Sequence, residues 1–171
     1  MKYTEKQITN NVFAGLRLYE PDCYHDFRGY YWTIAKGSEF DSFKHDKLSV
    51  SKQNVLRGVH GDSVASKLIT CVYGEIYYVA VDNREHLTTY GDWRWIMLSH
   101  TNRKAVMVPP GVGSGYFIVS KEASVLYKWS YPNEYPDTDD QFTIPWDDPV
   151  VNISWPTTHP IIQDRDKHKI I

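Results

Sequence analysis

The chain has 171 residues, enough for one real hydrophobic core, so a single domain over residues 1–171 is expected. Hydrophobic residues at 42% and charged residues at 23% fit an ordinary globular protein and exclude a disordered or fibrous one. A net charge of −2 without a basic stripe argues against a nucleic-acid partner, and no apolar run reaches the length of a membrane helix.

Residues 1–6 are polar and lack the apolar core of a secretory signal. Leu68-Ile69-Thr70-Cys71-Val72 reads as an apolar strand preceded by Lys67. Residues 74–82 mix β-branched and aromatic side chains and end in the turn-like Asp82-Asn83-Arg84. Further strands are expected at 93–98, 105–108, 116–119 and 124–129, with breaks at Pro109-Pro110-Gly111 and in the glycine-rich stretch 111–115, which reads as a turn. The tail after Trp155-Pro156 is mixed and polar, suited to a short helix or to lying against the strands. Closely spaced short strands with no long helical period point to an all-β sandwich or barrel. Aromatic residues at 15% suit such strands, and their flat rings also suit stacking on sugars and bases. Cys23 and Cys71 are far apart and form no CxxC pair, so reduced thiols and a cytoplasmic location are expected.

Leu56-Arg57-Gly58-Val59-His60, with Lys67 close behind, carries the chemistry. Abstracting a proton from carbon beside a ketone takes a base, an anion clamp and a positive charge for the enolate. An imidazole titrates near ~6.5 and accepts a proton at neutral pH. A lone histidine is more often a hydrogen-bonded group at a strand end, but Arg57 and Lys67 shift that balance. Strand alternation puts Arg57 and His60 on opposite faces unless Gly58 supplies a bulge. Tyr127 lies in an expected strand, where its phenol is either tethered in the core or a proton donor opposite the base. No metal is expected: His25, His45, His60, His86, His100, His159 and His168 are scattered without an HxH pair. The glycines at 111–115 lack the lysine of a phosphate-binding P-loop, and no GxSxG elbow is present.

With these residues in view, the chain resembles the nucleotide-sugar 3,5-epimerases of the dTDP-4-dehydrorhamnose type. The matches run in order from residues 15–21 through Asp26-Phe27-Arg28-Gly29-Tyr30-Tyr31, the stretch 45–51 and the RGVH segment. They continue through Lys67-Leu68, residues 80–84, Pro110-Gly111, Tyr127-Lys128, residues 146–149 and 153–156, and the terminal stretch 162–166. The resemblance implies a cupin-type jelly-roll β-sandwich, a homodimer habit and no cofactor. It implies that His60 is the base, Asp166 its orienting carboxylate, Tyr127 the acid and Lys67 the enolate's counter-charge. Arg28, Tyr31, Arg57, Ser49, Ser51, Ser114 and Arg165 would bind substrate, Arg28 at the diphosphate end. A tyrosine after Tyr127 would stack on the base, with Tyr131 and Tyr135 as rivals.

Departures bear on the substrate. The family's usual AHGF is here Gly113-Ser114-Gly115-Tyr116, and Gly61-Asp62 follow the RGVH histidine where an aromatic and Gln are common. The loop from His60 to Lys67 is short, Thr33 replaces a usual Glu, and His45 and Lys47 replace Gln and Asn. These changes resemble the branch acting on GDP-linked 4-keto-6-deoxy-heptose, and they leave open inversion at C3, at C5 or at both. The nucleotide-sugar substrate is therefore expected to be GDP- or dTDP-linked. A nucleotide-sugar 3,4-ketoisomerase and a non-catalytic sugar-binding cupin module are the alternatives.

Overall fold

The computed structural model describes residues 3–6, 14–132 and 141–167. Its strands are β1 (Tyr3–Lys6), β2 (Arg17–Pro21), β3 (Cys23–Asp26), β4 (Gly29–Trp32), β5 (His45–Lys52), β6 (Leu56–Gly61) and β7 (Lys67–Tyr73). They continue as β8 (Glu75–Asp82), β9 (Trp93–Ser99), β10 (Ala105–Val108), β11 (Val112–Ile118), β12 (Glu122–Trp129) and β13 (Phe142–Thr143). Two sheets form, ordered β1-β2-β10-β7-β12-β5 and β13-β6-β11-β8-β9, with β3-β4 standing as a separate hairpin. Ladder pairing is antiparallel. This is the all-β sandwich that the strand and turn spacing predicts.

Alternation decides which side chains fill which layer. Ile69 and Cys71 on β7 and Tyr78 and Ala80 on β8 join the core between the sheets. Leu68 turns outward to Tyr19, Ala105 and Met107, where Phe40 and its neighbours cover the six-stranded sheet. Val79 and Val81 turn outward beneath Ile144, Ile153 and Trp155, which cover the other sheet. With both faces buried, β7 and β8 read in sequence as nearly unbroken apolar runs.

The glycine-rich stretch is not a turn. Only Gly111, with φ +79°, turns the chain, and β11 then pairs with β8 over Val112–Ile118. Gly113 and Gly115 are there for close approach. A Cβ at Gly113 would stand 2.7 Å from Val59 Cγ1, and one at Gly115 would stand 2.9 Å from Val59 Cγ2. The tail does both things its composition suggests. It lies against the sheet through Ile161, whose carbonyl accepts from the Leu56 N–H at 3.0 Å, and it carries a 3-10 turn, Asp164–Lys167. No helix among the described residues is long and apolar enough to cross a membrane.

Candidate active site

The two sheets open around a cavity of about 700 Å³. Arg57 and His60 both line it, although a flat strand would part them. The register explains how. Ser114 pairs with His60 and Tyr116 with Arg57, so two steps along β11 oppose three along β6. The extra residue on β6 is a bulge, and Gly58 carries it with φ +108°. A side chain is excluded there, because a Cβ on Gly58 would lie 2.5 Å from the Ser114 carbonyl oxygen.

His60 Nε2 lies 2.7 Å from Asp166 Oδ1. A carboxylate only accepts, so Nε2–H donates and Nδ1 is left with its lone pair. The 3-10 turn delivers Asp166, whose own N–H donates to the Gln163 carbonyl at 3.0 Å. Asp166 is 5% exposed at its side chain and His60 23%, so the carboxylate sits behind the ring and the ring faces the cavity.

Lys67 and Tyr127 come from the six-stranded sheet, facing the wall that holds His60. Burial pushes the Lys67 ammonium down to about 8; Asp62 opposes that shift and Arg165 adds to it. Its Nζ lies 3.6 Å from Asp62 Oδ2 and 4.4 Å from the Trp129 ring centroid. Asp62 is itself held by the short loop, its Oδ1 accepting from the Val64 N–H at 3.0 Å and the Ala65 N–H at 2.6 Å. Burial, and then Tyr116, pushes the Tyr127 phenol well above its ordinary value, with Arg57 acting the other way. Tyr127 thus remains a protonated donor across the neutral range. Tyr116 spans the sheets by donating to Ser49 Oγ at 3.1 Å.

Of the other expected residues, Ser49, Ser114 and Arg165 line the cavity. Ser51 does not line it but accepts from Arg57 Nε at 2.9 Å, which fixes the guanidinium. Arg165 donates to Gln141 Oε1 at 3.3 Å, while its buried Nε has no partner among the described residues. Tyr131 stands outside the lining, edge-on to Trp129 at 6.1 Å between centroids. Tyr135 lies outside the described residues. Arg28 and Tyr31 belong to the β3-β4 hairpin and edge a separate shallow depression. There Arg28 is clamped by Asp26, the closest contact being 2.6 Å, and Tyr31 is 59% exposed. The hairpin's Tyr30 lies beneath Arg103, at the end of β10 away from the Lys67–Val108 pair.

His45 and Lys47 also line the cavity, yet the sequence marks them only as departures. Period two along β5 from Ser49 and Ser51 is the signal that finds them. Tyr78 and Tyr116 carry no such signal, because their hydroxyls matter only once the sheets are stacked. Among the described residues, no three His, Cys, Asp or Glu side chains group as metal ligands do.

The chain is similar to known proteins in both sequence and fold. The sequence profile of the family described as dTDP-4-dehydrorhamnose 3,5-epimerase matches residues 10–170. The dTDP-4-dehydrorhamnose 3,5-epimerase of Methanothermobacter thermautotrophicus is 35% identical over 177 residues, covering 96% of this chain and 93% of its own. A dTDP-4-dehydrorhamnose 3-epimerase of Streptomyces niveus is 35% identical over 127 residues, covering 72% of this chain and 60% of its own. The crystal structure of a dTDP-6-deoxy-D-glucose-3,5-epimerase from Legionella pneumophila, in complex with dTDP-4-keto-L-rhamnose, superposes with a TM-score of 0.86 at 27% identity, covering 96% of this chain and 90% of that one.

Proposed function

The chain belongs to the dTDP-4-dehydrorhamnose 3,5-epimerase family, and on that premise we propose that it is an isomerase of nucleotide sugars with the cupin-type jelly-roll fold. It epimerises C3 and/or C5 of a nucleotide-linked 4-keto-6-deoxy sugar, as a single catalytic domain. The carrying observation is the His60–Asp166 pair, 2.7 Å apart on one wall of a cavity whose facing wall supplies Tyr127 and Lys67.

A 4-keto group acidifies the hydrogens on C3 and C5. His60 Nδ1 takes one of them, and the electron pair moves to the carbonyl oxygen. The Lys67 ammonium balances the enolate charge where it develops. Tyr127, from the opposite sheet, returns a proton to the other face of the ring, which inverts the centre. His60 then sheds its proton and Tyr127 regains one through water, so solvent hydrogen enters the carbon. Arg57, Ser49, Ser114 and Arg165 hold the substrate. That His60, Lys67, Tyr127 and Asp166 share one cavity favours catalysis over a binding module.

The relatives named above are dTDP-sugar epimerases, which supports a thymidine diphosphate carrier. The GDP-linked heptose reading is supported by Gly61-Asp62 and Ser114. A homodimer is part of the proposal. Leu48 and Val50 are 61% and 54% exposed on β5, which among the described residues is the edge strand of its sheet and suits a second copy. The distance of Arg28 and Tyr31 from the cavity is accounted for if the hairpin serves the partner's site. The cytoplasm is the proposed location, supported by two free cysteines.

The test is NMR of dTDP- and GDP-linked 4-keto sugars in deuterated water. Deuterium is expected at C3 and/or C5 with the carbonyl still at C4; a carbonyl moved to C3 would identify a ketoisomerase. His60→Ala and Tyr127→Phe should each slow exchange by roughly 10²–10⁴-fold while the fold survives. Near-normal exchange in His60→Ala would defeat the assignment.

A further inference from the structure

Ser114 stands on the same wall as His60 and is its direct partner across β11 and β6. Its Oγ lies 2.8 Å from the Tyr78 hydroxyl. Tyr78 is 0% exposed, in the core between the sheets, so it cannot meet the substrate itself. A buried hydroxyl left without an acceptor costs ~1–3 kcal/mol, and Ser114 Oγ is the acceptor within reach. The Tyr78 proton therefore points at Ser114. A serine hydroxyl has one proton and can receive others on its lone pairs. With the tyrosine occupying a lone pair from behind, the serine proton is directed to the cavity side, which Ser114 lines.

We propose that Tyr78 is a positioning residue that fixes the Ser114 hydroxyl as a neutral donor to the substrate's carbonyl oxygen. This inference rests on the epimerase reading. A base that reaches hydrogens on carbons flanking a carbonyl lies close to that carbonyl's oxygen. Directly opposed residues on paired strands have Cβ atoms roughly 5 Å apart, so Ser114 reaches the atom that His60 makes negative. Lys67 approaches from the facing sheet. The enolate oxygen is thus met by one charged donor and one neutral donor, each pre-set before charge develops.

The two donors differ in what they do to a pH profile. Lys67 titrates in the alkaline range, whereas the serine–tyrosine pair does not. Losing the pair should lower the plateau and leave the alkaline limb where it is. The experiment measures kcat, KM and the pH profile for Ser114→Ala, Tyr78→Phe and the double variant, with Tm measured alongside. Ser114→Ala should lower kcat about 100-fold, as loss of one oxyanion donor does. Tyr78→Phe, which keeps the ring, should lower it about tenfold, with KM changed less than about twofold for both. The double variant should be no slower than Ser114→Ala, because the Tyr78 hydroxyl reaches the substrate's oxygen through the serine. Wild-type kcat in either single variant, or losses that multiply in the double, overturns the proposal. If Tyr78→Phe folds poorly, Ser114→Cys keeps the side chain's length but donates weakly, and wild-type kcat there also overturns it. A wild-type protein that exchanges deuterium into no sugar of the panel defeats the epimerase reading as a whole. Wild-type exchange with silent variants defeats only this inference.

Discussion

Lys67 carries its ammonium between the Trp129 ring and a buried Asp62, and the balance between burial and that carboxylate sets when it is charged. Its pKa falls from the ordinary 10.5 to about 8, with burial the larger influence and Asp62 opposing it. Between those two values the unfolded chain holds more protons than the folded one, so this residue's contribution to stability rises as pH climbs through the window. Activity that needs the ammonium moves the other way, and kcat should fall with a midpoint near pH 8. Asp62→Asn keeps an acceptor for the Val64 and Ala65 N–H groups but removes the charge that props Lys67 up. The alkaline limb of its kcat–pH profile should move to lower pH; an unmoved limb would detach it from Lys67. His60, Lys67, Tyr127 and Asp166 were legible because each stands in a short local motif. The Asp62 contact was not, because it depends on how a shortened loop folds back onto a strand. Tyr78 was hidden more deeply, since one tyrosine in an apolar strand is indistinguishable from its neighbour until β8 is oriented against β11.

Strand β6 brings Arg57 and His60 to one cavity because of one glycine. Sequence periodicity separates Arg57 from His60, and only an added residue in the ladder brings both to the cavity. The glycine announced that option without proving it, since Gly58 in a strand is equally compatible with a close backbone approach. Both turn out to hold: φ is +108° and the Ser114 carbonyl stands where a Cβ would go. The same crowding explains why the glycines at 113 and 115 belong to a strand although they look like turn residues. Gly58→Ala should cost about 3 kcal/mol or more, combining an unfavourable backbone with a clash against backbone atoms. Gly91 offers the control, with φ +81° and nothing within 4 Å of the added carbon. Gly91→Ala should cost only about 1 kcal/mol. Urea unfolding with an unchanged m-value measures both. Equal losses would mean that the backbone angle alone matters and that β6 and β11 yield to the added carbon.

At the scale of the whole molecule, the two sheets divide the cavity's polar groups between them: His60 and Ser114 on one wall with Asp166 behind the imidazole, Tyr127 and Lys67 on the other. Such a division was not readable in the sequence, where His60 and Lys67 are near neighbours although the fold sets them on facing sheets. It also leaves Arg28 stranded. The hairpin that carries it projects from the far end of β10, with Tyr24, Phe27, Tyr30 and Tyr31 exposed, an apolar load that a lone copy leaves in water. If the hairpin of one subunit completes the cavity of its partner, two dead variants should rescue each other. Arg28→Ala and His60→Ala homodimers would both be inactive. In a mixed dimer, the subunit carrying Arg28→Ala keeps its own His60 and receives an intact hairpin, so one of its two cavities works. Random reassortment makes half the dimers mixed, and recovery should approach about a quarter of wild-type activity in a two-fold assembly. A hairpin that serves its own cavity yields no recovery at any mixing ratio, since every cavity then lacks one group or the other. Measuring deuterium exchange after co-refolding the two variants at equal concentration separates these arrangements, and a monomer by light scattering would reject the exchange of hairpins outright.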